Sequence, residues 1–308
     1  MITPEKDIES LRNALLSKKP DVIINIISKR TKPQLDILIE LFQKTFNKDL
    51  TKDINQCLSY DNDLIRLISL LFLDPIHYYC QILYSSFNQG IKDINTIIEI
   101  ILTCPYEKLK QIMNMYSELY NDRNIVNDIK NMKFSNNGDI IKIILLFILE
   151  KEKRENILPD MEECQKAALK LKNEQIKNWL NVNSILNQII INNSQIELYY
   201  INEFYKKLTG FSIIQNINKE INEDEKFLLI EIISAIVSRN EYFAEKINKA
   251  VKVKNEEIIL RIILTRREID LEQIKERYFN LYNKSMLNDF ENIFSGDCYK
   301  LIYNLVGI

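Results

Sequence analysis

The sequence predicts an all-α protein, and three observations carry that prediction. First, one stretch recurs down the chain: residues 23–54 (IINIISKRTKPQLDILIELFQKTFNKDLTKDI), 97–129 (IIEIILTCPYEKLKQIMNMYSELYNDRNIVNDI) and 259–290 (ILRIILTRREIDLEQIKERYFNLYNKSMLNDF). A fainter copy starts at Ile185. Second, aromatic residues fall at i and i+4 within the copies, as Phe42/Phe46, Tyr116/Tyr120 and Tyr278/Tyr282, with Tyr205 followed by a departing Thr209. That spacing puts both rings on one helix face and reads as a core stripe. Third, Thr31-Lys32-Pro33-Gln34 and Ser194-Gln195-Ile196-Glu197 have the form of capping boxes, with Pro33 allowed in a first turn.

The elements follow in order within each copy. The leading apolar runs (Ile23–Ile27, Ile97–Leu102, Ile259–Leu264) are too continuous for an exposed helix and would suit a buried strand or a buried helix. Their place between helical patterns, with no hairpin residues nearby, favours the helix. Capped amphipathic helices come next, giving about five helices per module at typical helix length. With Arg30 as reference, the matching positions are Cys104, Asn193 and Arg266, so the steps are 74, 89 and 73 residues. Four similar modules result, with extra chain between the second and third. The modules are placed at 8–75, 76–150, 164–239 and 240–308, with a charged linker at 151–163 that carries Pro159.

Composition excludes several classes. A 308-residue chain with 46% hydrophobic content can bury a large core, and a net charge of −2 offers no global field to recruit nucleic acid or membrane. No N-terminal run has signal-peptide form, and the longest apolar run, 140–149, is broken by Lys142 and too short to span a bilayer. The five cysteines (Cys57, Cys80, Cys104, Cys164, Cys298) share no metal-site spacing and read as buried free thiols in a reducing cytosol. His77 is the single histidine, so no histidine relay or multi-histidine site forms within one chain. No glycine-rich phosphate loop, nucleophile elbow or zinc-protease pattern is present. Acidic pairs such as Glu162-Glu163 and Glu256-Glu257 sit in polar, solvated stretches, so the chain is read as not an enzyme.

Four modules of this length, the longer central junction and the segment LTRREIDLEQIKERYFNLYNKSML (264–287) resemble the annexin family. Trp179 falls where annexins often carry a tryptophan in the third repeat, and NEYFAEKINKAV (240–251) resembles the helix that opens the fourth. The likeness covers about residues 8–308. It implies a slightly curved helical disc whose convex face meets anionic phospholipid through calcium. It also implies a cytoplasmic, peripherally membrane-associated protein.

An annexin calcium site resembles Lys-Gly-x-Gly-Thr between the first two helices of a module, completed by an acid between the last two. Glycine lets the backbone aim carbonyls inward, and the hard ion wants a carboxylate. Module one (ALLSKKPDVIIN, 14–25) is shortened and glycine-free, with Ser59 at the acid's position. Module two (SFNQGIKDINTIIE, 86–99) has Gly90 displaced and Ser135 for the acid, with Asp93 or Asp139 as possible ligands of a weak site. Module three (NWLNVNSIL, 178–186) has Leu180-Asn181 for Gly-Thr but retains Glu220, which is either a calcium ligand or a solvated helix-end carboxylate. Module four (AVKVKNEEIILR, 250–261) is again short and glycine-free, with Ile293 for the acid. Calcium is therefore expected to bind weakly or not at all, with Glu220, Gly90 and Asp93 the candidate metal residues.

Lys18, Lys19, Lys252 and Lys254 stand in the shortened loops, and Trp179-Leu180 makes an apolar pair expected at a loop tip. These six are candidate membrane contacts, since lysines near an anionic leaflet and an interfacial Trp favour binding. The other reading is that the lysines are ordinary solvated charge and Trp179 packs locally. Glu99, Arg261 and Arg266 match the charged centre that annexins line from modules two and four, although Cys104 replaces an arginine expected there. Arg266 is expected to tie helix ends together. The function expected is peripheral binding to anionic phospholipid with calcium dependence weakened or lost. The alternative is a structural or cytoskeletal interaction scaffold that has abandoned the lipid face. Only about seven residues precede the first module, so a partner-recruiting N-terminal arm is not expected.

Overall fold

A computed structural model describes residues 3–89, 93–132, 138–150 and 158–307. Gly90, Ser135 and most of the linker lie outside them. Every regular element among the described residues is helical, and the α-helices fall five to a module. Module one holds α1 (Pro4–Leu16), α2 (Pro20–Ser28), α3 (Lys32–Phe46), α4 (Leu50–Cys57) and α5 (Asn62–Phe72). Module two holds α6 (Pro75–Gln89), α7 (Ile94–Thr103), α8 (Tyr106–Leu119), α9 (Ile125–Asn131) and α10 (Gly138–Glu150). Module three holds α11 (Met161–Asn173), α12 (Ile185–Asn192), α13 (Gln195–Thr209), α14 (Ile213–Glu220) and α15 (Glu223–Val237), with a 3-10 turn at Ile176–Leu180. Module four holds α16 (Arg239–Lys252), α17 (Glu256–Arg266), α18 (Leu271–Tyr282), α19 (Met286–Phe290) and α20 (Gly296–Gly307).

Two compact units result. One joins Met1–Pro75 to Phe243–Ile308, and the other is Ile76–Tyr242. The apolar runs are buried helices, as expected. In the first unit, α2 lies between α1 and α20, which covers Ile23, Ile24, Ile26 and Ile27 on opposite faces. In the second, α7 packs on α15 and α10, and Ile94 and all residues from Thr96 to Thr103 are buried. A helix covered all round needs no polar face, which is why its sequence lacks a helical stripe.

The aromatic positions form locks between successive helices. Phe42/Phe46, Tyr116/Tyr120 and Tyr278/Tyr282 meet with ring centroids 4.9–5.0 Å apart. The first ring of each pair is buried, and where it is a tyrosine its hydroxyl reaches the next helix. Tyr116 donates to Asp128 on α9 at 2.7 Å, and Tyr278 donates to Asp289 on α19. Burial first, and then the adjacent carboxylate, holds both phenols well above the ordinary tyrosine range. In module three Asn216 on α14 donates to the Tyr205 hydroxyl at 2.7 Å. Thr209, which breaks the aromatic pattern, bonds the Tyr205 carbonyl at 2.9 Å.

The capping boxes close as the sequence suggests. Gln34 accepts from the Thr31 N–H at 3.0 Å; Ser194 and Glu197 exchange bonds of 2.7 and 3.3 Å. Past the ends of α3, α13 and α18, Asn47, Gly210 and Asn283 take positive φ. Asparagine tolerates that conformation better than most residues, so two of these three turns need no glycine.

Of the two readings of Trp179, the exposed wedge does not form: its side chain is wholly buried, the largest such among the described residues. The 3-10 turn points it inward against Tyr205, edge to face with centroids 5.9 Å apart. The Trp179 Nε1 has no acceptor among the described residues. The cysteines are free thiols, four buried and Cys57 only half-buried.

Arg266, buried at the end of α17, donates to Asp270 just before α18, with Nε to Oδ1 at 2.7 Å, and its guanidinium lies 4.8 Å from the Phe243 ring centre. This ties the two helix ends. Replacing Trp179 by Ala is expected to cost about 3–5 kcal/mol through the cavity left behind. Trp179→Phe should cost only about 1 kcal/mol, because it also removes an orphaned donor. Urea unfolding of the two variants checks this, and equal losses would contradict it. By the same measurement Asp270→Ala should cost about 3–5 kcal/mol by leaving a buried cation short of its partner. Glu272→Ala, which breaks an exposed pair with Lys275, should cost less than about 1 kcal/mol.

Candidate functional site

The loops that the annexin resemblance assigns to calcium fall in three described environments. In module one the chain leaves α1 through Leu16-Ser17-Lys18-Lys19 and enters α2 at Pro20. Lys18 has φ 51°, and the Lys19 N–H bonds the Ala14 carbonyl at 2.9 Å. Module four repeats the turn after α16: Lys254 has φ 53°, and the Asn255 N–H bonds the Ala250 carbonyl at 2.9 Å. Both are tight helix-ending turns in which lysine occupies the left-handed slot usually given to glycine. Lys18, Lys19, Lys252 and Lys254 are all exposed, and none makes an ion pair among the described residues.

Several side chains show that these two turns share one end of their unit. Lys300 on α20 bonds Asp21 in the first turn of α2 at 2.7 Å and Asp297 at 2.9 Å. Tyr60, just before α5, donates to Asp297 at 2.7 Å. Burial alone would raise the Asp297 carboxyl; the bonds from Lys300 and Tyr60 bring it below its ordinary range. The Cys298 thiol is pushed up to about 12 by burial and then by Asp61, Asp63 and Glu256. Glu256 opens α17, so the N-termini of α2, α5, α17 and α20 converge. The two lysine-bearing turns lead directly into two of those helices.

Module three retains the acid, and its loop is closed by internal hydrogen bonds. The Asn181 carbonyl accepts from Asn187 Nδ2 at 2.6 Å and from the Ser184 N–H at 3.0 Å, which uses both of its lone pairs. The Asn183 carbonyl accepts from Gln188 at 3.0 Å and the Trp179 carbonyl from Ser184 at 3.3 Å. Glu174, at the loop's entry, caps α12 through the Ile185 N–H at 3.0 Å. Glu220 is exposed at the end of α14, with Lys219 Nζ 3.9 Å away. Leu180 is half-buried. The carbonyls of Trp179, Asn181 and Asn183 are therefore engaged within the loop.

In module two Asp93 precedes α7 and accepts from Ser86 Oγ, while Gly90 lies outside the described residues. Among the described residues no group of three His, Cys, Asp or Glu side chains is placed to hold a metal ion. Among the described residues no helix is long and apolar enough to cross a membrane.

The three residues expected at a charged centre divide between the units. Glu99 is buried on α7, across from α15, which carries the buried Glu231. Arg261 and Arg266 are buried on α17 in the other unit. Sequence reasoning missed Glu231, and it missed the acids and amide that lock the tyrosines. Those locks lie eleven or twelve residues beyond each tyrosine, a spacing that aligning the copies exposes.

The annexin family model matches residues 7–64 and 242–305. Annexin A6 of mouse (Mus musculus) is 27% identical over 310 aligned residues, spanning 99% of this chain and 46% of that protein. The chain thus spans about half the length of the curated relatives it matches. Among solved structures, annexin III superposes with a TM-score of 0.81 at 20% identity, covering 100% of this chain and 94% of that one. A calcium-bound annexin (Sm)1 superposes with a TM-score of 0.81 at 21% identity, covering 99% and 90%. The repeated five-helix modules find their counterpart in these folds, and the family model matches within the first and the last of them: the chain has the annexin fold and is similar in sequence to annexins.

Proposed function

We propose that this chain binds anionic phospholipid membranes peripherally, with calcium dependence weakened or lost. Annexins are in general calcium-dependent phospholipid binders and not enzymes. The observation that carries the departure from that pattern is the hydrogen bonding in module three. This module carries Glu220 where the annexin resemblance puts the acid, yet the carbonyls of Trp179, Asn181 and Asn183 accept from Ser184, Asn187 and Gln188. Freeing them would cost about 1 kcal/mol or more per bond before any ion bound. The glycine-free turns of modules one and four put lysine where an ion would have supplied positive charge.

Four lysines near an anionic leaflet contribute about 1 kcal/mol each at most. That figure is reduced here by Glu256 and Glu257, both exposed in the first turn of α17. Binding should therefore be weak and fall as salt rises, because exposed charges are screened within about 8 Å at physiological ionic strength.

Sedimentation with phosphatidylserine vesicles at low salt tests the reading. Equal pelleting in calcium and in chelator is expected, with release at high salt. Pelleting that needs calcium would show that the ion site survives, and no pelleting under either condition would remove the lipid reading altogether. A second expectation concerns the free protein. Millimolar calcium should raise the melting temperature no more than the same concentration of magnesium, because only a ligand of the folded state shifts it. A calcium-specific rise, abolished by Glu220→Gln, would contradict this.

A further inference from the structure

Leu16 and Val253 stand out on the surface of their unit. Each is 72% exposed, more than any other large apolar side chain among the described residues except Leu158. Leu16 is the last residue of α1, and Val253 is the first after α16. They flank the two equivalent turns described above, at the end where α2, α5, α17 and α20 begin. In a helix-ending turn of this type an apolar residue after the helix commonly folds back onto it. Here Lys19 and Asn255 occupy that place, and neither aliphatic side chain is covered.

Charge alone does not explain the face. Among the described residues Lys18, Lys19, Lys252 and Lys254 make no ion pair, but Asp63, Glu256 and Glu257 are exposed nearby, so the end is close to neutral. A purely electrostatic hold on an anionic surface would be slight. Two uncovered aliphatic side chains, each beside lysines, fit a surface that is apolar beneath and anionic above. The bilayer interface has that layering across its whole plane. Lysine stems are long enough to keep their ammonium groups at phosphate level while a neighbouring side chain reaches below.

We infer that Leu16 and Val253 enter the acyl boundary of an anionic phospholipid bilayer, with Lys18, Lys19, Lys252 and Lys254 at the headgroup phosphates and no metal in between. This rests on the membrane reading above and replaces the Trp179-Leu180 wedge with an apolar pair in modules one and four.

The test uses the full chain, vesicles of phosphatidylcholine and phosphatidylserine in equal parts, low salt and chelator. Leu16→Asn with Val253→Asn should weaken vesicle binding by about tenfold per site. Leu16→Phe with Val253→Phe should strengthen it. Neither pair should change the slope of binding against salt, whereas Lys18→Gly with Lys254→Gly should flatten that slope. All these positions are exposed, so melting temperatures no lower than the wild type's confirm folding, and the glycine pair should raise the melting temperature by relieving the left-handed backbone at Lys18 and Lys254. Wild-type binding that the Asn pair leaves intact overturns the inference while the membrane reading stands. Failure of the wild type to bind overturns both. Concentration-dependent self-association, lost in the Asn pair, would assign the face to a second copy of the chain and overturn it as well.

Discussion

Modules one and two each depend on a second helix that is covered by two other helices, and burial of that helix constrains everything around it. α7 has no polar face to offer water, so α10 and α15 must both be present before it is stable. α2 needs α1 and α20 in the same way, although α20 is nearly the whole chain length away from it. An isolated module would leave one side of such a helix exposed, at about 1.5–3 kcal/mol for each uncovered Ile or Leu. This is the physical reason the modules pair, first with fourth and second with third, in the two compact units.

Much of this was legible in the sequence, because apolar and aromatic positions recur wherever the packing recurs. Leu35, Leu109, Leu198 and Leu271 hold one slot and are all buried, and the capping boxes at Thr31 and Ser194 close as their residues suggest. What escaped was whatever depends on direction rather than period. Trp179 sits in a short loop motif, and no periodicity says whether a 3-10 turn will point its ring outward or toward Tyr205. Leu16 and Val253 look like ordinary helix-end residues, and only three-dimensional placement shows that nothing covers them. Asp128 and Asp289 are ordinary surface letters in one copy and become partners of buried tyrosines once the helices are packed.

The scarcity of glycine has a structural counterpart. Left-handed backbone is still needed after the first and third helices of the modules, and Lys18, Asn47, Lys254 and Asn283 supply it alongside Gly210. Each non-glycine residue there gives up about 1–2 kcal/mol of backbone preference. Asparagine offsets part of this with its short polar side chain; lysine has no such compensation. The two lysines in that conformation occupy the same turn in modules one and four. They stand at the face where a membrane contact is proposed.

Burial of Trp179 makes the chain its own optical probe. It is the single tryptophan of the sequence, held in an apolar site in the Ile76–Tyr242 unit, while the other unit has none. Intrinsic emission will therefore be blue-shifted in the native protein and will follow the melting of one unit only. Helical circular dichroism follows both. Any lag between the two signals would resolve whether the pair of units unfolds as a single cooperative body or one after the other.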